Sequence, residues 1–173
     1  MKFQKLFTTI DTHTGGNPTR TVISGLPDLK GKTMSEKMLY MKEHYDWIRK
    51  FLMNEPRGHS VMSGALIVGP CDPKADVGVI YIETGGYLPM CGHDTIGCCT
   101  ALIEAGLVEA KEPYTFINLD TPAGLVEVKV KVVNGKAKEV TFANIPSFLL
   151  KSIEVDVEGI GKVKCDIAYG GNF

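Results

Sequence analysis

Met90-Cys91-Gly92-His93-Asp94-Thr95-Ile96-Gly97 is the stretch on which the reading of this chain turns. It follows the strand-like run Val77-Gly78-Val79-Ile80-Tyr81-Ile82 and precedes the apolar run Cys98-Cys99-Thr100-Ala101-Leu102-Ile103. Cys91 therefore falls where a strand and its loop hand over to a helix. A thiol there sits at the positive end of the helix dipole, beside backbone N–H groups with no partner inside the helix. Both favour the thiolate and predict a lowered pKa. The N–H groups of Gly92, His93 and Asp94 are placed to bind an anion such as a carboxylate, and Gly92 allows close backbone approach. The competing reading is a small buried hydrophobe, a common role for an unpaired cysteine. Position alone does not separate the two.

On either side the pattern is mixed. Phe3 to Ile10 and Arg20 to Ser24 read as strands, the second closed by the Gly25-Leu26-Pro27 turn. Thr33-Met34-Ser35-Glu36 has the form of a capping box. The helix it opens carries an apolar stripe of Met38, Met41, Tyr45, Ile48 and Leu52, flanked by Lys37, Lys42, Glu43, Arg49 and Lys50, and ends at Asn54 and Pro56. Such a stripe faces a core in most proteins. Ser60 to Val68 and Val77 to Glu83 read as strands. The helix after Cys91 has almost no charge before Glu104, which predicts burial on every side, and Gly106 ends it. Leu125 to Val132 alternates strictly, as a strand with one wet face does, and Asn134-Gly135 predicts a hairpin into Lys136 to Phe142. Ile153 to Val157 and Lys162 to Ile167 form another pair. The fold class is α+β.

Composition excludes several roles. A hydrophobic fraction of 44%, a charged fraction of 23% and a formal net charge of -1 describe an ordinary globular chain. They offer no basic surface for nucleic acid. No apolar run approaches the ~20 residues of a membrane span, and the first residues lack a signal-peptide core, so a cytoplasmic location is expected. The five cysteines, Cys71, Cys91, Cys98, Cys99 and Cys165, are odd in number and irregularly spaced. Free thiols fit better than disulfides, and the spacing lacks the paired pattern of structural zinc. The chain stops directly after an alternating run, at Gly170-Gly171-Asn172-Phe173, which reads as the first half of a longer protein.

Six segments carry a resemblance. They are Asp11-Thr12-His13-Thr14-Gly15-Gly16-Asn17-Pro18-Thr19-Arg20; Glu55-Pro56-Arg57-Gly58-His59; Met62-Ser63-Gly64; Gly86-Tyr87-Leu88-Pro89-Met90-Cys91-Gly92-His93; Asp120-Thr121-Pro122-Ala123-Gly124; and Ile167-Ala168-Tyr169-Gly170-Gly171-Asn172-Phe173. In this order the chain resembles the proline racemase family, which includes hydroxyproline epimerases and a dehydratase branch. The resemblance implies a diaminopimelate-epimerase-like fold of two similar lobes. Each is a curved or barrel-like mixed sheet around a buried central helix, with the site in the cleft between. Residues 1–128 would be the first lobe and 129–173 the start of a truncated second.

The resemblance also implies the chemistry. Inverting an α-carbon requires a proton to leave one face and another to arrive on the opposite face. In the racemases and epimerases of the family a cysteine from each lobe does this. Cys91 matches the first; Gly92 and His93 would bind the substrate carboxylate through their N–H groups, and His93 would also meet the side chain or amine. No pyridoxal or metal is implied; the partner is a small molecule, proline or hydroxyproline, and a homodimer is left open. The motif Asp-Arg-Ser-Pro-Cys-Gly-Thr-Gly, which holds the second cysteine, is absent here. In the dehydratase branch a threonine replaces that cysteine. Proline racemases show an aromatic residue where this chain has Ser63, so the hydroxyl favours a ring that bears its own hydroxyl. The expectation is an N-terminal part of a 4-hydroxyproline epimerase, with a proline racemase or a trans-3-hydroxyproline dehydratase as alternatives. From other classes, a cysteine hydrolase using His13, His59 or His93 as base, or a non-catalytic amino-acid-binding fragment, stays open. Arg57 and His59 read most simply as scaffold.

Overall fold

The computed structural model describes residues 4–173. Ten strands and two helices follow one another as β1 (Thr8–Thr14), β2 (Asn17–Ser24), α1 (Met34–Met53), β3 (Ser63–Val68), β4 (Val77–Glu83), β5 (Tyr87–Leu88), α2 (Gly92–Glu104), β6 (Tyr114–Thr121), β7 (Gly124–Val133), β8 (Lys136–Ala143), β9 (Phe148–Val157) and β10 (Gly161–Tyr169). The first eight strands make one mixed sheet in the order β1-β2-β3-β4-β6-β7-β8, with β5 paired to β4 off that path. Its two parallel steps are β2 to β3 and β4 to β6. A parallel neighbour cannot be reached by a tight turn, so each step needs a crossover. The α1 helix supplies the first, and α2 the second.

The sheet is open rather than a closed barrel, with β1 and β8 at its two ends. The α2 helix contacts β1, β2, β3, β7 and β8, reaching strands from both ends. Its burial differs from the expectation. Asp94, Thr95, Gly97, Cys98, Cys99, Ala101, Leu102 and Ile103 are buried. His93, Ile96 and Thr100 are half-buried and Glu104 is exposed. Those four are spaced three and four apart, so one edge of the helix is left uncovered.

Several elements form for the reasons that the residues suggest. Thr33 caps α1, its hydroxyl accepting from the Glu36 N–H at 3.2 Å. The capping box is displaced by one residue, because the Glu36 carboxylate takes the N–H of Lys32 rather than that of Thr33. Met41, Ile48 and Leu52 are buried from the expected stripe, and Met34 and Met53 join them. Arg49, expected on the wet flank, is 6% exposed. It donates to Asp46 at 2.7 Å and to the carbonyls of Glu83 and Thr84, tying α1 to the end of β4; in return its guanidinium pulls the Asp46 pKa down to about 2. In β7, Val126, Val128, Val130 and Val132 are each at most 1% exposed, worth about 1.5–3 kcal/mol apiece. A one-residue slip would expose all four. Asn134 and Gly135 both take positive φ, 54° and 69°, as the hairpin turn requires. At the end of α2, the Leu107 N–H bonds the Leu102 carbonyl and that of Gly106 bonds Ile103, a Schellman closure.

Strand boundaries differ from the sequence reading in several places. The first strand runs from Thr8 to Thr14, so Asp11 to Thr14 is strand and Gly15-Gly16 is the turn; Phe3 lies outside the described residues. The strand expected from Ser60 begins at Ser63. The expected division between residues 128 and 129 falls inside β7, which runs on to pair with β8 through Glu127 and Ala143. Among the described residues β9 and β10 form a separate two-stranded sheet, in which β9 starts earlier than expected, at Phe148, and β10 runs longer at both ends.

That hairpin carries Phe148, Leu149 and Leu150 at 50–60% exposure. A two-stranded ribbon is marginal by itself. Amide exchange in β9 and β10 is therefore expected to be at least about 100-fold faster than in β3 and β4, the low end of local stability set against the core. Hydrogen exchange read by mass spectrometry on the 173-residue chain checks this; equal protection in all four strands would contradict it.

Candidate active site

Cys91 is the N-cap residue of α2, with extended backbone at φ -141° and ψ 112°. Its carbonyl takes the Thr95 N–H at 3.0 Å and the Thr95 hydroxyl at 2.7 Å. The Tyr81 hydroxyl, buried in β4, meets that same Thr95 hydroxyl at 2.7 Å. So a buried chain of hydrogen bonds runs from the sheet to the backbone of Cys91. The Cys91 sulfur accepts from the Asp94 N–H at 3.5 Å. One of the three N–H groups expected to face an anion is thus already engaged by the thiol.

The expected fall in the Cys91 pKa is reversed. Burial pushes the thiol up, and the Asp94 carboxylate adds to it; against them, the N–H groups of Asp94 and His93 pull it down. Burial and like charge win, and the value rises to about 12. The dipole argument treats a helix start as open to solvent, and this one is packed. Cys98 and Cys99 are more deeply buried and are pushed up by the same desolvation. Cys71 and Cys165 are half-buried and unpaired.

His93 is gripped by the β1–β2 hairpin. Its Nε2 lies 3.1 Å from the Asn17 carbonyl, 3.1 Å from Asn17 Nδ2 and 3.3 Å from Thr19 Oγ1, while Thr14 donates to the His93 carbonyl. Its Nδ1 lies 3.5 Å from Asp94 Oδ1. Gly92 sits beneath the Phe142 ring of β8; a Cβ there would come within 2.8 Å of the ring edge. Ser63, at the start of β3 and 9% exposed, donates its hydroxyl proton to Asp94 Oδ2. Cys91, His93 and Asp94 bring one sulfur, one ring nitrogen and one carboxylate oxygen within 4.8 Å of each other. Ser63, Cys91, Gly92 and His93 therefore come together from two elements.

The sequence reading did not single out the Asp94 side chain, which lies beside Cys91, His93 and Ser63. It is 0% exposed. A signal was present: Cys91 and Asp94 have the three-residue spacing of a cap and its reciprocal acid. What could not be read was Ser63, which approaches from 31 residues away.

Two of the other segments singled out in the sequence touch the Pro89-Met90 stretch before Cys91. Ala123 donates to the Pro89 carbonyl, and Asp120 caps the Cys71 and Asp72 N–H groups. Gly171 lies against Met90, where a Cβ would meet the Met90 side chain at 2.9 Å, and Asn144 holds the Gly170 carbonyl. Arg57 and His59 do not join. Arg57 donates to the Phe51 carbonyl, lies 3.5 Å over the Phe51 ring and offers its own carbonyl to Arg20. His59 offers its carbonyl to the Met62 N–H. His13 accepts from the Gly16 N–H at the hairpin turn. Of the three histidines considered as a hydrolase base, His93 is the one that lies beside Cys91. Among the described residues no helix is long and apolar enough to cross a membrane.

Comparison with known proteins gives the arrangement a family. The chain is 51% identical over 174 residues to a proline racemase of Clostridioides difficile, covering 100% of this chain and 52% of that one. It is equally 51% identical over 174 residues to a 4-hydroxyproline 2-epimerase of Streptosporangium roseum, with the same coverage of 100% and 52%. A solved hydroxyproline epimerase from Agrobacterium vitis, with bound trans-4-hydroxy-L-proline, superposes with a TM-score of 0.90 at 30% identity, over 99% of this chain and 51% of that one. The chain spans about half the length of the curated relatives it matches. The family model described as proline racemase matches residues 9–173, and with it the chain belongs to the proline racemase family.

Proposed function

We propose that these residues form the first lobe, and the opening strands of the second, of a cofactor-independent amino-acid epimerase that inverts Cα of 4-hydroxyproline. Cys91 is one of its two acid–base groups. The observation that carries this reading is the placement of a half-buried thiol at the N-cap of α2. A substrate carboxylate bound by the Gly92 and His93 N–H groups would bring Cα beside the sulfur. Negative charge that builds on the carboxylate as the proton leaves would be held by those same donors. A thiol pushed to about 12 rests protonated at neutral pH, which suits Cys91 to the donor's part. The sheet that ends with β8 at Ala143 is the first lobe, and β9 and β10 begin the second.

The preference for hydroxyproline rests on Ser63. Its proton is committed to Asp94, but a hydroxyl oxygen has two acceptor sites, and one can take the proton of a ring 4-hydroxyl. The two relatives at 51% identity carry both activities in their names, and so do not decide between them. A two-lobed protein, made by joining residues 1–173 to the second half of the Streptosporangium roseum epimerase, tests the reading. It should epimerise 4-hydroxyproline at least about tenfold faster than it racemises proline, the scale of one hydrogen-bond discrimination, as read by chiral chromatography. Ser63→Phe should reverse the order. A wild-type preference for proline would reject this role of Ser63, and loss of water from 3-hydroxyproline would place the protein in the dehydratase branch. The 173-residue chain by itself should bind the carboxylate without inverting Cα, since its Cys91 group addresses one face.

A further inference from the structure

We propose that Asp94 is a positioning residue that holds Cys91 in the thiol form, through a buried carboxylate kept charged by Ser63 and placed against the sulfur. This rests on the reading of Cys91 as a proton-transfer group, and it concerns which form of Cys91 the resting protein holds.

The geometry is unusual for an acid in the first turn of a helix. Such residues ordinarily face water and interact with the dipole. Asp94 is fully buried, and its two oxygens are unequal. Oδ2 accepts from Ser63, whereas Oδ1 has no hydrogen-bond partner. The nearest ring nitrogen to Oδ1 is His93 Nδ1 at 3.5 Å. His93 Nε2 lies 3.1 Å from both the Asn17 carbonyl and Asn17 Nδ2, contacts that suit either a donor or an acceptor at that nitrogen. An orphaned buried carboxylate oxygen costs stability, and one oxygen of the Asp94 carboxylate lies within 4.8 Å of the Cys91 sulfur. A negative charge so close makes a second one on sulfur unfavourable.

The groups that face this pair from each packed element support the same bias. The α2 helix offers His93 and Cys98, β4 offers Tyr81, β3 offers Ser63, and β2 offers Thr19. From β8 comes the apolar Phe142 ring. Among the described residues no lysine or arginine forms an ion pair with Asp94; the imidazole beside it is that of His93. Burial raises the Asp94 carboxyl overall, and the Ser63 hydrogen bond is the largest pull against that rise, so retention of the charge depends on Ser63. When Cys91 gives its proton to Cα, the S–H bond breaks and a C–H bond forms. The thiolate left behind then faces Asp94, and reprotonation of Cys91 is favoured. Asp94 thereby biases the resting protein toward a single protonation state.

Peptide-mapped alkylation of the 173-residue chain by limiting iodoacetamide at pH 8 tests this without any turnover, so its outcome is independent of the epimerase reading. In Asp94→Asn the like charge is removed and the hydrogen bond to Ser63 is retained. A pKa fall of about one to three units, offset in part by weaker nucleophilicity of a more acidic thiol, should raise the Cys91 rate about 3- to 30-fold while Cys98 and Cys99 keep theirs. Ser63→Ala, which leaves Asp94 easier to protonate, should shift Cys91 the same way by a smaller factor, and it decides the matter if Asp94→Asn does not fold. An unchanged or slower Cys91 rate would overturn the proposal. Equal acceleration of Cys91, Cys98 and Cys99 would overturn it too, because it would mean that Asp94 only holds the fold together.

Discussion

Cys91→Ser in the two-lobed protein is expected to lose at least about a thousandfold in epimerisation of 4-hydroxyproline, the upper part of what one acid–base group contributes. A serine hydroxyl has nearly the shape of the thiol and would keep the Asp94 N–H as a donor, so α2 should still start at residue 92. What it lacks is acidity, since a serine hydroxyl releases its proton far less readily than a thiol in the same surroundings. The helix start cannot compensate, since burial and Asp94 already outweigh its N–H groups at the thiol. The loss should fall on kcat, with KM little changed, because the Gly92 and His93 backbone is untouched. Chiral chromatography gives the rate and circular dichroism shows that the fold is intact. Retention of more than a tenth of the wild-type rate would remove Cys91 from the mechanism.

The second large effect is expected at Gly97, on the face of α2 that meets β1 and β2. A Cβ there would lie 2.8 Å from the Thr12 hydroxyl and 2.8 Å from Thr19 Cβ and Cγ2. Thr19 is fully buried and β-branched, so it cannot swing away. Gly97→Val would push the helix off the hairpin or distort both, at a cost of about 3 kcal/mol. Because Asn17 and Thr19 hold His93, the site should loosen along with the fold. Urea unfolding of the 173-residue chain measures the loss through its midpoint. Stability within about 0.5 kcal/mol of wild type, the usual range for a harmless surface change, would show that α2 and the hairpin are not packed as described.

Much of the fold could be read from the residues because local and tertiary preferences agree there. Thr33 caps α1, the alternating valines of β7 bury one face, and Asn134-Gly135 turns the hairpin. Boundaries failed where composition and pairing part company. Asp11 to Thr14 is polar and looks like a loop, yet it pairs residue for residue with Asn17 to Arg20. The two residues of β5 are too few to give a pattern. Arg49 has the spacing of a wet flank but finds two carbonyls at the end of β4, a long-range fact with no local sign.

The site divides in the same way. The position of Cys91 at the start of α2 followed from the strand, loop and helix order around it. Its protonation state did not, because desolvation is set by what packs above the helix: Ser63, Phe142 and the β1–β2 hairpin arrive from elsewhere in the chain. Ser63 itself was read as a wall for the substrate ring, and its first partner is Asp94. The two roles are compatible, since donation to Asp94 leaves the oxygen able to accept.

The central claim is that Cys91 exchanges a proton with Cα of the bound amino acid, and solvent isotope tests it most directly. The two-lobed protein in deuterium oxide, given a single enantiomer of 4-hydroxyproline, should yield inverted product with one deuterium at Cα by mass spectrometry. Cys91→Ala should yield no inverted, deuterated product above background. Inverted product carrying Cα deuterium at the wild-type rate from Cys91→Ala would contradict the account.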